Sequence, residues 1–147
     1  MKMIVAIPAL PVTQTERSVA FYRDELGFTV RHIDTGFAVL TCDAVELHLW
    51  EASDEQWRGR TGTLPVVSGA ESFIAGTASC RMQISGVDEF YRELQPRGIV
   101  HPNGHLTDQP WGTREFSICD PDNNLITFFE PLTNLAAAEP LLVEPAS

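Results

Sequence analysis

The sequence predicts an α+β fold in which one module, a strand, a helix and then strands ending in a hairpin, occurs twice. Three observations point to it. The segment Phe21-Tyr22-Arg23-Asp24-Glu25-Leu26 recurs as Phe90-Tyr91-Arg92-Glu93-Leu94, each copy closed by a glycine and an apolar residue, Gly27-Phe28 and Gly98-Ile99. A second pair of segments, 37–43 then 45–51, resembles 116–120 then 125–130. The copies stand about seventy residues apart, too far for a solenoid and right for two modules of one fold.

The elements follow in order. Residues 4–10 form an apolar run suited to a first strand. A helix follows, with Val19, Tyr22 and Leu26 at helical spacing and Gly27 as its stop. Residues 37–43 and 45–51 make two short strands around a tight turn, completing a module over about 3–51. Residues 52–77, with Gly59, Gly62, Pro65, Gly69 and Gly76, form a long irregular connection of a kind that is functional or mobile. The second module, about 78–131, begins with a strand at 79–85. Its helix carries Val87, Phe90, Tyr91 and Leu94, ended by Pro96 and Gly98, and its hairpin spans 116–130. Together these make one domain over 1–131. The tail 132–147 is apolar but broken by Pro140 and Pro145, and two readings stand for it: packing across a neighbouring subunit, or disorder.

Alternation divides each sheet into two faces. Val45, Leu47 and Leu49 oppose Glu46, His48 and Trp50; Cys80, Met82 and Ile84 oppose Ser79, Arg81, Gln83 and Ser85. The apolar sets belong under the helices. The mixed polar and aromatic sets then line an open, concave face fit for a ligand. Arg114 has the opposite parity to Glu115 and Ser117 and reads as a structural ion-pair partner.

Composition narrows the partners. With 44% hydrophobic and 20% charged residues, the chain is an ordinary globular one. Acidic residues outnumber basic ones 20 to 10, a formal charge of −10, and no Lys/Arg cluster exists to neutralise phosphates, so nucleic acid is not an expected partner. No stretch approaches the roughly 20 apolar residues that span a bilayer. Lys2 precedes an apolar run, but Pro8 and Pro11 interrupt it and no small-residue cleavage site follows. Cys42, Cys80 and Cys119 are widely spaced, without a CxxC pair, and read as small buried thiols. The expected location is the cytoplasm.

The helix segment 18–28 resembles the first helix of the vicinal oxygen chelate superfamily. The series Pro110-Trp111-Gly112, Arg114-Glu115-Phe116 and Asp120-Pro121-Asp122-Asn123-Asn124 is more specific, and resembles the bleomycin resistance branch of that superfamily. The resemblance covers about residues 4–131. It implies two βαβββ modules, a glyoxalase-like fold, and a homodimer with the N-terminal strand exchanged, Pro8 falling at the crossover of that arm. Asn123 stands where the branch has glycine. Asn tolerates positive φ better than other side chains, so the turn survives the departure.

Enzymes of the superfamily hold a divalent metal with His, Glu or Gln from strands of both modules. The positions that match here are Ile7, Glu46, Ser79 and Thr127, and only Glu46 is a competent ligand. No metal or other cofactor is expected. His48 and Glu130 lie near ligand positions; Glu130 reads as a strand-end charge. His101 and His105 have i, i+4 spacing, but Pro102 and Gly104 oppose a helix there, so they read as surface loop histidines. No nucleophile elbow, phosphate-binding glycine loop or HExxH occurs, so no catalytic residue is assigned.

The resemblance instead implies sequestration of bleomycin-type glycopeptide antibiotics, metal-loaded or not, without turnover. Their planar bithiazole would stack between Phe37 and Trp111, Gly112 giving access, and their cationic tail would favour an acidic protein. Glu46, His48, Ser79, Gln83, Glu115 and Ser117 would orient the ligand, and Trp50 would add a wall. Two alternatives remain at this point: a metal-dependent lyase, isomerase or dioxygenase of the same superfamily, and a binding protein for another planar small molecule.

Overall fold

The computed structural model describes residues 1–52, 70 and 75–138. The middle of the long connection, including Trp57, and the end of the tail lie outside the described residues. The chain divides into two compact units. The first comprises residues 1–78 together with the turn Asp120–Asn124, and the second comprises 79–119 and 125–147.

In the first unit the order is β1 (Ala9–Val12), α1 (Thr15–Asp24), β2 (Thr29–Asp34), β3 (Phe37–Cys42) and β4 (Val45–Glu51). The sheet order is β1-β4-β3-β2, with β1 parallel to β4 and the other pairs antiparallel. Alternation puts Leu10, Val12, Ala38, Leu40, Leu47 and Leu49 on one face, where they are buried under α1 with Val19, Tyr22 and Leu26. Gly27 ends the helical segment at φ +81°, a backbone conformation that residues with a side chain rarely adopt.

The second unit repeats the plan: β5 (Ser79–Gln83), α2 (Val87–Leu94) continued by a 3₁₀ turn (Gln95–Arg97), β6 (Thr107–Asp108), β7 (Thr113–Cys119), β8 (Leu125–Pro131) and α3 (Leu132–Ala138). Its order, β5-β8-β7-β6, with β5 parallel to β8, is that of the first sheet. Met82, Phe116, Ile118, Ile126 and Phe128 are buried with Val87 and Leu94 of α2. Phe90 meets Phe128 edge-on at 5.0 Å between ring centroids, the favoured aromatic geometry.

Three expectations need correction. The first strand spans Ala9–Val12, not 4–10, because its parallel pairing with β4 starts where the His48 N–H donates to the Pro8 carbonyl. Met3, Ile4 and Val5 are left exposed. No disulfide joins the cysteines, but all three are half-buried rather than buried; burial still raises the Cys42 and Cys80 thiols above their ordinary value. Glu130 stands at the end of β8, as read, but not in solvent. It is buried on the helix face of β8, and its carboxylate accepts the backbone N–H groups of Gly86 and Val87 at the start of α2.

Candidate functional site

On the face of the first sheet opposite α1, register brings the expected residues together. Phe37 is paired with Trp50, Val39 with His48 and Thr41 with Glu46. The Phe37 ring lies 4.4 Å from Trp50 and meets His48 edge-on at 5.4 Å; His32 of β2 is 5.9 Å away. These form one aromatic patch, half-buried except for the exposed His32. Beside it Glu46 is shared, one oxygen accepting from Arg31 at 3.0 Å and the other 2.8 Å from His48 Nε2. The Trp50 indole nitrogen is enclosed, with no hydrogen-bond partner among the described residues.

On the corresponding face of the second sheet stand Ser79, Arg81 and Gln83 of β5, Thr113, Glu115 and Ser117 of β7, and Thr127 and Phe129 of β8. Ser79 and Gln83 are exposed, and the Ser117 hydroxyl is 2.8 Å from that of Thr127. Glu115 lies on the expected face but is only 7% exposed. Arg81 grips it through both oxygens at 3.1 and 2.7 Å, with its guanidinium 4.7 Å from the centre of the Phe129 ring. Thr113 Oγ1 and Trp111 Nε1 also donate to Glu115. Burial alone would raise this carboxyl, but these donors outweigh it and hold it below the ordinary glutamate range.

Trp111 protrudes from the turn before β7 and is 62% exposed. Gly112 has φ +94°, and its carbonyl accepts from Leu132, so the turn needs glycine for its own conformation. Arg114 bears out its parity: it points to the helix side and bridges Asp88 at 2.9 Å and Asp108 at 2.7 Å. Phe37 belongs to the first unit and Trp111 to the second.

The Asp120–Asn124 segment does structural work that spacing alone did not reveal. Asp120 accepts the Tyr22 hydroxyl at 2.9 Å and the backbone N–H groups of Asp122 and Asn124. Asn124 donates to the Pro11 carbonyl and accepts from the Gly76 and Ala78 backbone, while Asp122 receives Thr13, Arg17 and Ser18. Asn123 takes φ +68°, as the turn reading required. His101 and His105 are engaged locally, with Asn103 and Tyr91; His105 is exposed, as expected of a surface loop, whereas His101 is half-buried.

The matching metal-ligand positions do not fit a divalent ion. Ile7 has no donor, Thr127 is hydrogen-bonded to Ser117, and Glu46 is already shared between a guanidinium and an imidazole. Glu130 faces away from Thr127 and is committed to α2. Among the described residues no group of three or more His, Cys, Asp or Glu side chains is arranged to hold a metal. No helix among them is long and apolar enough to cross a membrane.

Comparison with known proteins agrees with this architecture. The bleomycin resistance proteins of Geobacillus stearothermophilus and Staphylococcus aureus are 57% identical to the chain over 130 residues, spanning 88% of it and 98% of each relative. Two crystal structures share the fold. A bleomycin resistance determinant encoded on the transposon Tn5 superposes with a TM-score of 0.63 at 24% identity, covering 88% of this chain and 98% of that one. The bleomycin-binding protein of Streptomyces verticillus, complexed with copper(II)-bleomycin, gives 0.64 at 22% identity, covering 87% and 96%. The family model for the glyoxalase/bleomycin resistance protein/dioxygenase superfamily matches residues 4–128. Two sheets of one strand order, matched by that model along nearly their whole length, leave one assignment: the chain belongs to the glyoxalase/bleomycin resistance protein/dioxygenase superfamily.

Proposed function

We propose that the protein binds bleomycin-type glycopeptide antibiotics and sequesters them without chemical turnover. The observation that carries this reading is the 57% identity to bleomycin resistance proteins across 98% of their length. The geometry supports it: Phe37 with Trp50 offers a broad aromatic patch, and Trp111 an exposed indole, both suited to a flat heterocycle. The set of Ile7, Glu46, Ser79 and Thr127 favours a binder over a metal-dependent enzyme. A net charge of −10 suits a cationic drug and disfavours nucleic acid as partner.

The working unit on this reading is a cytoplasmic homodimer. Residues 1–7 form an apolar arm exposed on this chain, and Pro8, which lacks an N–H donor, stands where the arm leaves β1. Exchange of that arm with a second copy would cover it.

The test is calorimetric titration of chelator-treated protein with copper-loaded bleomycin. The reading expects saturation near one drug per chain with micromolar or tighter affinity. No heat at two temperatures and no quenching of Trp fluorescence would remove it, and would favour an enzyme or another planar ligand instead.

A further inference from the structure

We infer that Arg81, acting through Glu115, is a positioning residue that sets the Trp111 indole for ligand binding without touching the ligand itself. The inference rests on the proposed role of Trp111. An exposed indole on a turn loses rotamer freedom when a flat ring stacks on it, and that ordering weakens binding unless it is done beforehand. Here the turn is closed by backbone bonds from Gln109 to Thr113 and from Gly112 to Gln109. They hold the backbone of Trp111 but not its ring. The contact that holds the ring is Nε1 to Glu115 Oε2 at 3.4 Å.

That contact is long, so its value depends on the carboxylate being fixed and charged. Arg81 meets both requirements. It grips Glu115 in bidentate fashion, a geometry that specifies orientation as well as charge. Its guanidinium in turn lies against Phe129, and Thr113 adds a third donor to Oε2. Phe129, Arg81, Glu115 and Trp111 thus form a continuous chain within one unit, running from the sheet to the exposed ring. With its charge neutralised by Glu115, Arg81 places no free cation beside a cationic ligand.

Two readouts test this: copper-bleomycin affinity, and the Trp111 indole N–H signal in spectra of protein labelled with ¹⁵N-tryptophan, assigned by its loss in Trp111→Phe. Arg81→Met is expected to weaken binding about tenfold, the order of one charge-assisted hydrogen bond. It should also shift the Trp111 indole signal, and Arg81→Lys should restore part of both. In a Trp111→Phe background, which has no Nε1, Arg81→Met should cost little more. An equal loss in both backgrounds would overturn the inference, since Arg81 would then act on the ligand directly. So would an indole signal unmoved by Arg81→Met and Glu115→Gln. Should Arg81→Met fail to fold, Thr113→Val removes one donor to the same oxygen and gives both readouts at smaller amplitude. Absence of binding by the wild type would sink the sequestration reading, whereas the indole signal would still decide whether Arg81 holds Trp111.

Discussion

Glu51 and Glu130 occupy equivalent places in the two modules, each at the end of its module's last long strand and each capping the helix of that module. Glu51 accepts from the backbone N–H and hydroxyl of Thr15 at 3.3 and 3.5 Å, and Glu130 from Gly86 and Val87 at 2.9 and 3.0 Å. Neither helix has a capping side chain of its own: Gln14 makes no such bond, and Gly86 has no side chain. Backbone N–H groups at a helix start need an acceptor, and a carboxylate there also complements the helix dipole.

The shorter bonds of Glu130 predict an asymmetry. Glu130→Ala should destabilise the protein by about 1–2 kcal/mol, and Glu51→Ala by less, within the usual range for a lost cap. Urea denaturation of both variants measures this; equal losses would mean that bond length does not decide the matter.

The Asp120–Asn124 turn predicts a residue-type rule at position 123. With φ at +68°, Asn123→Gly should leave stability unchanged or improved, while Asn123→Val should cost about 1–2 kcal/mol. Tyr22→Phe, which strips the buried Asp120 carboxylate of one donor, should cost about 1 kcal/mol. Thermal melts of the three variants check the order.

Glu115 predicts an acid limb. Its carboxyl is held below the ordinary value when folded, so the unfolded chain takes up this proton at higher pH than the native one. The stabilisation is complete above the unfolded value, about 4.3, and is lost as pH falls through the folded one. The stability gap between wild type and Glu115→Gln should therefore be widest near neutrality and close below pH 4. A gap of constant size from pH 7 to pH 3 would contradict this.

Phe37 and Trp111 should separate binding from stability. Each change to Ala is expected to weaken copper-bleomycin binding roughly tenfold, the scale of one lost stacking partner with its buried area. Phe37→Ala should also lower the melting temperature, because the ring packs on Trp50 and His48, whereas Trp111→Ala should barely move it, the indole being 62% exposed. Unchanged affinity in both would end the stacking account.

The repeat, the two hairpins, the apolar faces of β4 and β5, the helix-side direction of Arg114 and the positive φ of Asn123 were all legible in the sequence. Each depends on neighbours a few residues away, through period-two alternation, helical spacing or the steric rules of one turn. What only the tertiary structure decided involves partners far apart in the chain. The capture of Glu115 by Arg81 joins residues 34 apart, Glu130 caps α2 across 43, and the bond of Tyr22 to Asp120 spans 98. Parity placed Glu115 on the correct face, yet it could not say that a guanidinium would be waiting there. The start of β1 was missed for the same reason, because the apolar run reaches back to Ile4 while pairing begins only where β4 lies alongside. Side-chain direction is a local property of the backbone; what a side chain meets is set by register between strands, and only the folded chain fixes that.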